Sequence, residues 1–80
     1  MRRIVVRAPA CSADSIVYLT RVFRIHAEEL QPGEHVEFAF DAERFPFADA
    51  IFESLMKAAG LRVIAARAED GIRVFAVQKG

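Results

Sequence analysis

Leu61-Arg62-Val63-Ile64-Ala65-Ala66-Arg67-Ala68, then Glu69-Asp70-Gly71, then Ile72-Arg73-Val74-Phe75-Ala76-Val77-Gln78 is the stretch that decides the fold. Two strand-like runs flank an Asp-Gly pair, a strong short-range signal for a chain that folds back on itself. The segment reads as an antiparallel hairpin. Val74, Phe75, Ala76 and Val77 are apolar on both faces, which suits a strand inside a sheet rather than at its edge.

Upstream of the hairpin, Gly60 stops a helical pattern. Ile51, Leu55 and Ala58, flanked by Ala48, Phe52 and Ala59, form its expected buried stripe, and Asp49, Glu53 and Lys57 its solvated one. Pro46 suits the first turn of this helix, where a missing amide donor costs nothing. Asp41 to Phe47 is the turn that leads in. Before it, His35 to Phe40 alternates, with Val36, Phe38 and Phe40 inward and His35, Glu37 and Ala39 outward. Pro32-Gly33 closes a longer helix that runs to about Leu30, with Ser12 as N-cap and Asp14 in its first turn. Ile16, Leu19, Phe23, His26, Ala27 and Leu30 share its inner stripe, while Tyr18 and Ile25 fall outside it. Ile4 to Ala8 is a short strand ended by Pro9, with Ile4, Val6 and Ala8 on one face and Arg3, Val5 and Arg7 on the other.

The element order is therefore β-α-β-α-β-β in one domain spanning residues 1–80. Right-handed crossovers place both helices on one face of a four-stranded mixed sheet, an α+β fold in the form of a two-layer sandwich. The first three strands are expected parallel, with the last antiparallel between the second and third. Arg3, Arg7, Glu37, Arg67 and Phe75 are assigned to the uncovered face, and Val5, Phe75 and Val77 point outward from it.

With 54% hydrophobic residues in 80, there is material for one core. A chain this short is expected to gain stability by pairing with itself or with a partner. Eleven basic residues balance eleven acidic ones, which argues against a nucleic-acid partner and against an electrostatic membrane anchor. Arg7 interrupts the first apolar run too early for a signal peptide, and no apolar run is long enough to span a bilayer. The default is a reduced, cytoplasmic protein.

One cysteine excludes an internal disulfide. Cys11 is a buried small apolar residue, a reactive thiol or an intermolecular linker. It lies in Ala8-Pro9-Ala10-Cys11-Ser12-Ala13-Asp14, between the first strand and the first helix. A helix N-terminus offers amide hydrogens and a positive dipole end, both of which stabilise a thiolate. Asp14 opposes that effect and Arg7 offsets Asp14. His26 and His35 with Cys11 match no metal-ligand spacing, so neither metal nor cofactor is expected. Asp41, Glu43 and Asp49 gather near the second helix, where acidic residues serve the helix dipole. Gly-rich phosphate loops are absent.

Leu30-Gln31-Pro32-Gly33-Glu34 followed by Val36-Glu37-Phe38, then Asp41, Phe52-Glu53, Gly60-Leu61-Arg62-Val63 and the closing Val74 to Gly80, resemble the TusA/SirA-like sulfur-carrier family. That resemblance implies this same element order and a cytoplasmic, sulfurtransferase-like carrier rather than a conventional enzyme. It implies that Cys11 bears a persulfide, with Ser12, Asp14 and Arg7 in support. The implied partners are a cysteine desulfurase or rhodanese-like donor and protein acceptors, DsrE-like proteins among them. Where the family has a Cys-Pro-x-Pro run, this chain has Cys11-Ser12-Ala13-Asp14. The alternative is a non-catalytic or self-associating module of the same fold, with Val5, Phe75 and Val77 in its interface. A nucleic-acid reading rests on Arg2, Arg3, Arg7, Arg67 and Arg73 alone.

Overall fold

The computed structural model describes residues 2–7 and 15–80. The elements run β1 (Arg3–Val6), α1 (Ser15–Glu29), β2 (His35–Asp41), α2 (Asp49–Ala58), β3 (Leu61–Glu69) and β4 (Ile72–Lys79). The sheet order is β1-β2-β4-β3, with β1 parallel to β2 and β4 antiparallel to both its neighbours. Both helices cover one face, so the fold is the expected two-layer α+β sandwich. Ala8, Ser12 and Asp14, predicted as strand end, N-cap and first-turn residue, lie outside the described residues.

The hairpin forms because Asp70 and Gly71 both take positive φ angles, 48° and 75°. That is the backbone of a two-residue turn whose twist matches the strands it joins. Gly60 likewise takes φ 87° just past α2, and its amide closes the last turn on the Lys57 carbonyl at 3.0 Å.

The core under the helices is built of phenylalanine. Phe40 on β2 is its hub, with ring centroids 4.8 Å from Phe52, 5.8 Å from Phe23 and Phe45, and 5.9 Å from Phe75. Leu19, Phe23 and Ala27 of α1 and Phe52 and Met56 of α2 close over it. Offset and edge-on rings such as these add roughly 0.5–1.5 kcal/mol per pair beyond the area they bury.

Four assignments from sequence change here. Phe75 and Val77 point inward, and it is Val74 and Ala76 that share the open face, since a strand apolar on both faces carries no phase of its own. On α2 the buried stripe is Phe52 and Met56, while Ile51 and Ala58 are exposed. Two apolar stripes lie one residue apart on that helix, and Phe40 and Phe75 select the one with the aromatic ring. Tyr18 is not outside: it packs on the core and stacks on Phe45 at 6.4 Å. Pro46 precedes α2 rather than opening it, and the turn beside it buries Phe45 completely.

One further feature has no sequence signature. The β3–β4 ladder slips by one residue at Ile64, so Val63 faces Val77 but Ala65 faces Ala76. In a regular ladder Arg67 would fall opposite Arg73 on the helix side. The bulge turns Arg67 and Glu69 onto the open face.

Candidate functional site

Among the described residues no helix covers the open face of the sheet, yet Val74 is fully buried and Ala39 and Ala76 nearly so. What covers them is a ring of four charges drawn from three strands. Arg3 Nη2 lies 3.4 Å from Glu37 Oε1 and 3.3 Å from Glu69 Oε1. Arg67 Nη1 lies 3.0 Å from Glu37 Oε2, and its Nε lies 3.3 Å from Glu69 Oε2. Each charge has two opposite neighbours. The Arg67 guanidinium, which donates to Glu37, holds that carboxyl below its ordinary value, and Arg3 adds to the effect. Glu37 and Glu69 in turn raise Arg67.

Arg73 is also engaged, but on the helix side. It donates to the Phe47 carbonyl, pairs with Asp49 at the start of α2, and sits 4.9 Å from the centre of the Phe52 ring. Three of the five arginines of the nucleic-acid reading are therefore neutralised by carboxylates of the same chain. Asp41, Glu43 and Asp49 resolve into ordinary roles: Asp41 Oδ1 accepts the Glu43 amide at 2.9 Å, and Asp49 pairs with Arg73. His26 packs edge-on against Phe38 at 5.8 Å, and His35 is exposed at the start of β2.

The picture differs at the C-terminal ends of β1 and β2. There the open face hollows into a cleft of about 480 Å³. Val5, Ala39 and Ile72 form its floor, and Arg7, Asp41 and Arg44 stand around it. Arg7 and Arg44 are exposed and make no ion pair or hydrogen bond among the described residues. Of the four predicted site residues, Arg7 is thus placed at the rim of this cleft. Cys11, Ser12 and Asp14 lie outside the described residues. Arg44 was missed from sequence because only the turn after β2 brings it to the cleft that Arg7 also lines. Sequence spacing holds no trace of that placement.

No known protein family and no curated protein matches the sequence. Solved structures with a similar fold include the antibiotic-resistance methyltransferase Kmr, 18% identical with a TM-score of 0.63. That match covers 98% of this chain and 49% of the methyltransferase, so the chain spans about half the length of that protein. HP1264 from Helicobacter pylori, known from a solution structure, is 19% identical with a TM-score of 0.61, over 99% of this chain and 97% of that one. At such identities the likeness is one of fold. Among the described residues no helix is long and apolar enough to cross a membrane.

Proposed function

We propose that this protein is a small sulfur carrier of the reduced cytoplasm, with Cys11 as the carrying residue. In the forward step the Cys11 thiolate attacks the outer sulfur of a donor protein's persulfide. The new bond joins that sulfur to Cys11, the donor's sulfur–sulfur bond breaks, and the donor leaves as a thiolate. Relay to an acceptor thiolate repeats the exchange in the other direction. No cofactor takes part, and a protein donor and acceptor are the only partners required. Such a protein is a carrier rather than a conventional enzyme.

One observation carries this reading. Arg7, four residues before Cys11 in the chain, lies with Arg44 at the cleft, which Asp41 also lines, and neither arginine makes an ion pair among the described residues. Unpaired cations favour the ionised form of a nearby thiol or persulfide. The element order agrees with the one the sequence resemblance implies.

The test is mass spectrometry after incubation with a cysteine desulfurase and cysteine. The expected result is the gain of one sulfur atom, reversed by reductant and absent from Cys11→Ser. An adduct that persists in Cys11→Ser, or wild-type protein that gains nothing, overturns the proposal.

The second reading, an interaction module of the same fold, has a narrower basis than the sequence suggested. Of its three interface residues, Phe75 and Val77 belong to the core, while Val5 stays exposed and gains Ile72 as an exposed companion. Alkylation kinetics separate the two readings, because a carrier thiol reacts fast near neutral pH and a structural one slowly.

A further inference from the structure

The cleft at the ends of β1 and β2 combines two features. Its floor is hydrocarbon: Val5 pairs with Ala39 across the parallel ladder, and Ile72 lies opposite Asp41 on the other side. Val5 and Ile72 are 60% and 39% exposed, so apolar side chains face solvent on both sides of β2 here. Its rim is cationic. Arg3 is committed to Glu37 and Glu69, but Arg7 and Arg44 have no partner among the described residues. Asp41 is the one acidic residue in the lining, and one of its carboxylate oxygens is occupied by the Glu43 amide. Elsewhere on this face the positive charge of Arg3 and Arg67 is cancelled within the ring of four, and Arg62 donates to Gln78. At the cleft it is left over.

A volume of about 480 Å³ falls in the usual span for small-ligand sites. An apolar floor alone would take any hydrophobe, and two arginines alone would take any anion. Together they select a molecule that is both. We propose that this cleft binds a small amphipathic anion, a carboxylate on a hydrocarbon or aromatic body. The body lies on Val5, Ala39 and Ile72, and the carboxylate is held by Arg7 and Arg44. Guanidinium groups suit this task because their planar fork matches the two oxygens of a carboxylate. The site shares Arg7 and Arg44 with the sulfur-carrier reading but does not depend on Cys11, so the two can fail separately.

Octanoate is the probe, followed by amide chemical shifts of the full chain. Octanoate is expected to produce saturable shifts at Val5, Val6, Ala39, Phe40 and Ile72. Octylammonium, with the same tail and the opposite charge, and acetate, with the charge and no tail, bind about tenfold or more weakly in comparison. Arg7→Gln and Arg44→Gln each weaken octanoate by roughly tenfold while leaving the rest of the spectrum in place, as exposed residues should. Cys11→Ser leaves octanoate binding unchanged and abolishes only sulfur loading. Equal binding of octanoate and octylammonium overturns the proposal. So do shifts confined to another surface, unaltered affinity in both arginine variants, or the lack of any saturable shift.

Discussion

The two faces of this sheet bury their residues by opposite means. Under the helices, Phe23, Phe38, Phe40, Phe45, Phe52 and Phe75 fill the space with hydrocarbon, and the exclusion of water is complete. On the other face, Val74 is as deeply buried as any of them, beneath Arg3, Glu37, Arg67 and Glu69. The first device is worth most when packing is tight and is indifferent to pH. The second depends on ionised carboxylates and on long side chains that solvent can reach. A small domain with two helices has only enough chain to cover one face of four strands. This one covers the second with charge, except at the cleft.

The contrast is broken or sharpened by variants of decreasing effect. Phe40→Ala removes the hub of the aromatic core and should cost about 3–5 kcal/mol in denaturant unfolding. In a chain this size that loss is enough to leave much of the population unfolded. Val74→Ala removes two methyl groups from beneath the charged ring and should cost about 2 kcal/mol. Equal losses at the two positions would erase the difference between the faces.

Glu37→Gln should have the smallest effect at neutral pH and the clearest dependence on pH. Arg67 lowers the folded-state value of Glu37 below its ordinary 4.5. A carboxyl shifted in this sense contributes stability above its unfolded value, and the contribution is lost as pH falls through the folded value. Wild-type protein should therefore weaken as pH drops below about 4.5. The acid limb of Glu37→Gln should be shallower, and identical limbs would remove the ring from the account of this face.

Much of the fold was legible because its signals are local. Asp70-Gly71 marks the hairpin, Gly60 the helix end, and the alternation from His35 to Phe40 a strand with one covered face. The phase of β4 was not legible, since Val74, Phe75, Ala76 and Val77 satisfy either orientation. The stripe of α2 was ambiguous in the same way, with Ile51 and Phe52 equally apolar. The open face was half legible: Arg3, Glu37 and Arg67 were assigned to it, but their closure with Glu69 into a ring was not foreseen. At the candidate site the sequence offered Arg7 and Val5, and the structure added Arg44 and Ile72 around them.

By itself the sequence determined which segments are helix and strand and in what order they follow. Those properties depend on turn residues and on periodicity, which act over a few positions. Only the tertiary structure decided which side of β4 is core, that Ile64 bulges, and that Arg67 and Glu69 thereby join Arg3 and Glu37. Each of these is a choice between near-equal local options, and it is settled by what lies across the sheet. The same holds for the two arginines left unpaired at its end.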